Sequence, residues 1–288
     1  MPIATCAPES TGHAGATHLE EQTLQFDIIR RLVRRVAPVM LAIAGLATWP
    51  AGHTVAGTPP VAQARIAVAA NFAEVAHLLA EQYTRRSGNR IDISVASTGK
   101  LYAQIHHGAP FDVLLAADDS TPQRLVDEGL AVRSSLYDYA TGRLVLWSRD
   151  ATLAADGEQV LRQHDFRKFA IANPALAPYG AAARQVLQHV GRWDALQPRL
   201  VLGENVGQAT QFVLSGNAEA GLLPRSLVLE AQRQVGGSAW LVPADWHRPI
   251  VQSAVLLDHG RDNPAAIGFL AYLHDDTARR TIAAHGYD

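Results

Sequence analysis

The sequence predicts an α/β fold in which helices flank mostly parallel sheets. Short apolar runs alternate with amphipathic segments along most of the chain, which is the pattern of strands followed by crossover helices. Parallel sheets of this kind are covered by helices on both faces. The 288 residues are 48% hydrophobic and 18% charged, a composition that supports one large or two medium-sized cores.

The apolar runs place the strands, and the periodic segments place the helices. The expected strands cover residues 65–70, 91–96, 112–116, 143–147, 169–172, 199–202, 221–223 and 250–257. The expected helices cover residues 72–86, 100–107, 122–128, 181–190, 207–214, 226–234, 264–274 and 277–285. In the first helix, Phe72, Val75, Leu79 and Tyr83 recur at three- and four-residue steps, and Gly88 follows its end.

The first 64 residues have the pattern of a polar extension followed by a secretory signal. Residues 1–29 are polar, residues 30–35 contain four arginines, and residues 36–47 form an apolar run. An A-x-A motif at 62–64 predicts cleavage just after Ala64 by the Sec route. The apolar run is shorter than the ~20 residues of a membrane span. We therefore expect an exported, periplasmic protein, with an uncleaved anchor as the alternative.

Charge and cysteine content exclude several classes of protein. Lys and Arg total 25, and Asp and Glu total 27, so the formal net charge is −2. Such a chain lacks the electrostatic footprint of a nucleic-acid-binding protein. The single cysteine, Cys6, allows neither an intrachain disulfide nor a zinc site built from cysteines.

Four predicted strand-to-helix junctions carry small or neutral hydrogen-bonding residues. They are Ala70-Asn71-Phe72, Ala96-Ser97-Thr98-Gly99-Lys100, Ala177-Pro178-Tyr179-Gly180 and Glu204-Asn205-Val206-Gly207-Gln208. Ligands of open α/β sheets bind at the carboxyl ends of strands. Helix starts leave N–H groups unpaired and carry partial positive charge. Several starts meeting at one point would form an anion site without lysine or arginine.

Each of these residues also has a simpler explanation. Asn, Ser and Thr are common N-caps, so Asn71, Ser97 or Thr98 alone indicates no more than a helix cap. Tyr179 alone fits a packing role equally well. Only the joint occurrence at four junctions favours an anion site, and periodicity does not show whether the junctions converge.

Six blocks of sequence connect the chain to a known family. They are VAANF (68–72), ASTGKLYAQIHHGAPFDVLLAADD (96–119), GRLVLWS (142–148), ANPALAPYGAAARQVL (172–187), ENVGQATQFVLSGNAEAGLL (204–223) and the closing GFLAYL with HGYD. In this order, they make the chain from 65 to 287 resemble the periplasmic molybdate-binding proteins of ABC transporters, which are type II periplasmic binding proteins. The resemblance implies two α/β lobes joined by two crossover strands, with a molybdate or tungstate oxyanion in the cleft between them. It also implies delivery to an inner-membrane permease, no chemistry on the ligand, no cofactor and a monomer.

This resemblance sets the expected domain limits. Residues 1–64 are the extension and signal peptide. Residues 65–143 together with 247–288 form the first lobe, and residues 144–246 form the second.

The resemblance also places the ligand contacts at five positions. Asn71 falls where the first junction supplies a backbone or side-chain donor. Thr98 falls at the hydroxyl position of the second junction, with Ser97 beside it. Tyr179 lies in the third junction, where some members have a small residue. Val206 falls where the family uses a backbone amide at a helix start.

The chain departs from one branch of the family. That branch has a tyrosine shortly after the strand that follows the fourth junction, whereas this chain has Leu222-Leu223-Pro224-Arg225 there. We expect Tyr179 to supply the hydroxyl instead. We also expect Lys100 to face solvent and Glu204 to point away from the anion.

Three alternatives remain at this stage. Ser97 and Lys100 match the S-x-x-K pattern of acyl-serine enzymes, although the chain contains neither S-D-N nor K-T-G. His106-His107 and Asp118-Asp119 suggest a metal-binding protein, but neighbouring helix residues point in different directions and do not chelate together easily. The third alternative is a binding protein for another oxyanion.

Overall fold

The computed structural model describes residues 61–288. The predicted extension, arginine cluster and apolar run lie outside the described residues. Among the described residues, none of the helices combines the length and the apolar character needed to cross a membrane.

Ten strands and ten helices alternate along the described chain. The strands are β1 (Gln63–Ala69), β2 (Arg90–Ala96), β3 (Val113–Leu115), β4 (Tyr137–Gly142), β5 (Leu144–Ser148), β6 (Phe169–Ala172), β7 (Leu200–Gly203), β8 (Ala220–Pro224), β9 (Ser238–Leu241) and β10 (Ile250–Leu256). The helices are α1 (Ala73–Ser87), α2 (Thr98–His106), α3 (Ser120–Asp127), α4 (Gly157–Gln163), α5 (Pro178–His189), α6 (Trp193–Leu196), α7 (Val206–Leu214), α8 (Arg225–Val235), α9 (Pro264–Leu273) and α10 (Asp276–Ala284).

The strands form two separate five-stranded sheets. The first has the order β2-β1-β3-β10-β4, and the second has the order β7-β6-β8-β5-β9. The first sheet is therefore built from chain on both sides of the second. The chain crosses between the sheets twice, directly from β4 to β5 and again on the way from β9 to β10. The α/β fold with two lobes is confirmed, and the exact lobe limits given above remain a prediction.

Each sheet is mixed rather than mostly parallel. The pairs of β1 with β2 and β3, and of β6 with β7 and β8, are parallel. The pairs made by β10 with β3 and β4, and by β5 with β8 and β9, are antiparallel. The difference from expectation arises at the crossings. β5 and β10 enter their sheets directly from the other lobe and not through a βαβ crossover, so they run against their neighbours.

Helices cover both faces of the first sheet, as expected. Phe72, Leu79 and Phe269 belong to the core on one face, and Leu101 and Leu125 belong to the core on the other. The second lobe has a larger continuous core around aromatic residues, and this core also includes alanines from the first lobe's junctions. The two lobes are thus packed against each other at the cleft.

Two strands and two helices were not expected from the sequence. The strands β4 and β9 are edge strands of their sheets. Edge strands have one open side and need no continuous apolar run, and the sequences YDYATG and SAWL accordingly contain none. The helices α4 and α6 are short, with seven and four residues, too short to establish a period.

The first strand begins earlier than expected. β1 starts at Gln63, and Gln63 and Ala64 pair with Arg90 and Ile91 of β2. Cleavage after Ala64 would therefore remove the first two residue pairs between β1 and β2.

Candidate functional site

Each predicted contact residue lies at the start of a helical segment. Asn71 is in the short 3₁₀ turn that follows β1. Ser97 is the N-cap of α2, and Thr98 is its first residue. Tyr179 lies in the first turn of α5, and Val206 is the first residue of α7. All five residues are buried.

These five residues line one cavity between the lobes. The remaining lining residues are Ala69, Ala70, Ala117, Ala177, Pro178 and Asn205. None of the lining residues has an ionisable side chain other than the phenol of Tyr179. The enclosed space is very small, on the scale of one water molecule. It therefore leaves no room for a large solute.

The hydroxyl of Ser97 is not a helix cap. Ser97 occupies the N-cap position, but its side chain makes no capping hydrogen bond. Within residues 61–288, its Oγ is the single buried side-chain polar atom without a hydrogen-bond partner. An unpaired buried hydroxyl costs about 1–3 kcal/mol, so its position against the cavity favours a role in binding.

Thr98 accepts one hydrogen bond from the protein and keeps its own hydrogen available. Its Oγ1 accepts a hydrogen bond from the backbone N–H of Ala117 at 3.1 Å. The hydroxyl hydrogen therefore remains for a guest in the cavity.

Asn71 offers its backbone rather than its side chain. Its Nδ2 donates to Gln252 Oε1 at 2.9 Å and to the Tyr287 hydroxyl at 3.1 Å. These two bonds use both amide hydrogens. Of the two donors expected at Asn71, the backbone N–H is the one left for the cavity.

Tyr179 is a permanent hydrogen-bond donor. Its hydroxyl oxygen accepts from Gln252 Nε2 at 3.1 Å. Burial raises the pKa of Tyr179 well above its ordinary value, because the desolvated phenolate is disfavoured. The hydroxyl therefore keeps its proton throughout the physiological range.

The N-termini of three helices converge on the cavity. At α7, Asn205 Oδ1 caps the backbone N–H of Gln208 at 3.0 Å, and the N–H of Val206 has no intrahelical partner because it is in the first turn. The starts of α2 and α5 line the same cavity. Their partial positive charges favour an anion although no cationic side chain lines the cavity.

The N-terminal part of α2 also contacts the second lobe outside the cavity. Lys100 Nζ and Glu204 Oε2 form an ion pair at 2.6 Å, and the N–H of Gly99 donates to the carbonyl of Leu176 at 2.9 Å. Neither Lys100 nor Glu204 lines the cavity. The expectation that Lys100 simply faces solvent is incomplete, because its half-exposed side chain reaches across to the other lobe.

The geometry does not place a base beside Ser97, as an acyl-serine mechanism requires. A nucleophilic serine needs a base within hydrogen-bonding distance. Ser97 Oγ has no partner, while Lys100 Nζ is bonded to Glu204.

The metal-binding alternative has no support in the described part of the chain. Residues 61–288 contain no cluster of three or more His, Cys, Asp or Glu side chains placed to hold a metal ion. His106 contacts Glu128 at 3.4 Å. The carboxylate of Asp118 accepts from the N–H and hydroxyl of Thr121 at 2.7 and 3.1 Å.

A buried polar network behind the cavity was missed from the sequence. Gln252 lies at its centre and is completely buried. Tyr139, Tyr287 and Ser226 complete the network around Asn71 and Tyr179. A glutamine inside the apolar strand IVQSAVL was the available signal, because a buried polar side chain requires partners.

Two lobes joined by crossing strands, with a small polar cavity between them, define a binding protein that encloses its solute. The chain belongs to the bacterial extracellular solute-binding protein family, whose model matches residues 64–288.

Two similar relatives are molybdate-binding proteins. The molybdate-binding protein ModA of Azotobacter vinelandii is 45% identical over 226 residues, covering 78% of this chain and 90% of the relative. ModA of Rhodobacter capsulatus is 42% identical over 221 residues, covering 77% and 86%. The family resemblance expected from the sequence is confirmed.

Solved structures show the same architecture. The periplasmic molybdate-binding protein of Azotobacter vinelandii superimposes with a TM-score of 0.75 at 37% identity, covering 78% of this chain and 98% of that chain. The sulfate-binding protein SubI of Mycobacterium tuberculosis H37Rv superimposes with a TM-score of 0.65 at 12% identity, covering 78% and 86%. The second likeness concerns the fold alone.

Proposed function

We propose that this protein binds molybdate in the cavity between its lobes and delivers it to an ABC transporter permease. Tungstate, which has nearly the same size and charge, is the second expected guest. The protein performs no chemistry on the oxyanion. The five expected contacts Asn71, Ser97, Thr98, Tyr179 and Val206 are the proposed ligand residues.

The observation that carries this proposal is the donor character of the cavity. Hydroxyls and helix-start N–H groups from both lobes line one small space, and one of them, Ser97 Oγ, has no protein partner. Both similar relatives named above are molybdate-binding proteins. A tetrahedral dianion accepts hydrogen bonds on every side, so it matches such a cavity.

Solvation explains why neutral donors suit this task. A buried dianion loses its hydration shell at a large energetic cost, and the cavity donors take the place of that shell. Each hydrogen bond to a charged group contributes about 1.5–3 kcal/mol. Because no cationic side chain neutralises the guest, opening the lobes leaves no buried countercharge behind, which keeps release reversible.

Location and partners follow from the same proposal. The arginine cluster, apolar run and A-x-A motif support export by the Sec route with cleavage near Ala64. The similar molybdate-binding protein of Azotobacter vinelandii is periplasmic. We expect a monomer that meets its permease at the inner membrane.

Titration calorimetry of the purified protein tests the proposed function. Molybdate and tungstate should release heat with affinities in the micromolar to nanomolar range, about −8 to −12 kcal/mol. Sulfate and hydrogen phosphate should bind more weakly, because smaller anions leave buried donors unpaired. Binding of zinc alone, or of none of these solutes, would refute the proposal.

The variant Ser97→Ala tests the proposed site. Since Ser97 Oγ is buried and bonds to no protein group, its removal should not lower the unfolding temperature of the ligand-free protein and should raise it if the unpaired hydroxyl is costly. Molybdate affinity should fall about 10- to 100-fold, the value of one hydrogen bond to a charged group. Ser215→Ala, at an exposed helix end, is the matched control and should bind like the parent protein. Unchanged affinity in Ser97→Ala would remove Ser97 from the site.

A further inference from the structure

We propose that Gln252 is a positioning and specificity residue of the anion site, whose amide orients the Tyr179 hydroxyl as a donor to the guest. The inference rests on the proposed function and adds a residue that does not itself line the cavity. Gln252 lies on the crossover strand β10 and contacts Asn71 of the first sheet's lobe and Tyr179 of the second.

A backbone carbonyl determines which groups donate and which accept in this network. The Tyr287 hydroxyl lies 2.6 Å from the carbonyl oxygen of Asn71. A carbonyl only accepts, so Tyr287 must place its hydrogen there. The hydroxyl oxygen of Tyr287 then acts as an acceptor toward the Asn71 side chain at 3.1 Å. The Asn71 atom at that contact must therefore be Nδ2.

The same reasoning determines the orientation of the Gln252 side-chain amide. Asn71 Nδ2 also lies 2.9 Å from the Gln252 side chain, so the atom of Gln252 at that contact is the acceptor Oε1. The Tyr139 hydroxyl shares its single hydrogen between the carbonyl of Ala116 at 2.9 Å and this oxygen at 3.1 Å, so the contact with Asn71 carries the assignment. The other end of the amide is consequently Nε2, which donates to the Tyr179 hydroxyl at 3.1 Å.

Tyr179 is left with a hydroxyl hydrogen that no side chain accepts. Within the described chain, the only side-chain hydrogen bond of its hydroxyl is the one from Gln252. The hydroxyl is enclosed beside Gly142 and the cavity that Tyr179 lines. An oxyanion in that cavity supplies the missing acceptor. The Thr98 hydroxyl is oriented as a donor in the same way, because its oxygen accepts from the backbone N–H of Ala117.

This arrangement distinguishes guests by their protons as well as their size. Sulfate presents four oxygens that only accept, whereas hydrogen phosphate, of similar size, carries one O–H that must donate. Where Tyr179 is held with its hydrogen toward the guest, a guest O–H at that position meets a donor and must turn to another acceptor, so hydrogen phosphate loses the contact that sulfate makes there. Gln252 thus favours a guest oxygen that accepts at the Tyr179 position.

A double-mutant cycle tests the coupling between Gln252 and Tyr179. Molybdate affinity is measured for the parent, Gln252→Leu, Tyr179→Phe and the double variant. Each single variant should bind about 10-fold more weakly or worse. The double variant should bind no more weakly than the poorer single variant, because both changes remove one function. If the affinity losses of the two single variants multiply in the double variant, the proposal is overturned.

Two further variants separate positioning from folding. Gln252→Glu keeps the shape but presents an acceptor to Tyr179, so it should weaken molybdate binding even where thermal unfolding shows an intact fold. Gln82→Leu removes another glutamine–tyrosine hydrogen bond, from Tyr272 at 2.6 Å, far from the cavity. It should bind molybdate like the parent protein. Parent-like affinity in a folded Gln252→Glu protein would refute the inference.

Selectivity provides a readout that a purely structural role would not change. Sulfate and hydrogen phosphate are compared by displacement of bound molybdate. In Gln252→Leu, the Tyr179 oxygen becomes free to accept, so the preference for sulfate over hydrogen phosphate should narrow by about 5-fold or more, from the cost of one unpaired donor. An unchanged preference would contradict the inference while leaving the proposed function intact. A parent protein that binds no oxyanion would instead contradict the proposed function.

Discussion

At the residue scale, the cavity depends on a position without a side chain. Gly142 ends β4, where the chain crosses to the second lobe. A Cβ at this position would overlap the hydroxyl of Tyr179 and lie 2.7 Å from Gln252 Nε2. Both groups are buried in the network, so neither can move aside without breaking a hydrogen bond.

The variant Gly142→Ala should therefore disturb Tyr179 and Gln252 together. We expect molybdate affinity to fall at least about 10-fold, since one charged hydrogen bond is lost. The free energy of unfolding should fall by about 1–3 kcal/mol from overpacking. Calorimetry and urea unfolding measure the two effects. Parent-like values in both would show that Tyr179 has room to retreat.

At the scale of the elements, an ion pair joins α2 to the loop before α7 across the cleft. The Lys100 and Glu204 side chains are 42% and 64% exposed. Exposed pairs contribute only about 0–1 kcal/mol, so this pair stabilises the contact between the lobes only weakly. The N–H of Gly99, bonded to Leu176, adds a second contact at the same end of α2.

Breaking this ion pair should speed release of the guest. Lys100→Ala should raise the molybdate dissociation rate by up to about 5-fold at low ionic strength. The effect should shrink in high salt, because exposed charges are screened. Stopped-flow displacement measures the rate, and Lys168→Ala, away from the cavity, is the control. If Lys100→Ala and Glu204→Ala multiply their effects in the double variant, the two residues do not act as a pair.

At the scale of the whole molecule, the buried tyrosines couple stability to alkaline pH. Burial raises the pKa of Tyr139, Tyr179 and Tyr287. In the unfolded chain, tyrosine ionises near pH 10. Because the folded pKa values are higher, the unfolded state releases these protons first. The stabilisation is therefore complete below about pH 10 and is lost as the pH rises beyond it.

The free energy of unfolding should consequently fall steeply above pH 10. Each such tyrosine contributes a slope of up to about 1.4 kcal/mol per pH unit. Urea unfolding at a series of alkaline pH values measures the slope. Tyr179→Phe should make it shallower by about one tyrosine. An equal slope in the parent and the variant would show that Tyr179 does not contribute to the linkage.

Much of the architecture follows from the sequence alone. Apolar runs and helical periods are local properties, so most strands and helices, and the four junctions, were predicted from them. Two features were not predicted from the sequence. The edge strands β4 and β9 lack apolar runs, and the antiparallel directions of β5 and β10 depend on chain crossings that no local pattern records.

The sequence by itself determined which residues begin helices at the ends of strands, and therefore which neutral donors the chain possesses. Only the tertiary structure decided that these donors meet. Asn71 and Gln252 are separated by 181 positions, and the Lys100–Glu204 pair by 104. Propensity acts over a few neighbouring residues, whereas such contacts arise when two crossover strands bring the lobes together. Hydrogen-bond direction at Tyr179 is likewise set by partners distant in the chain.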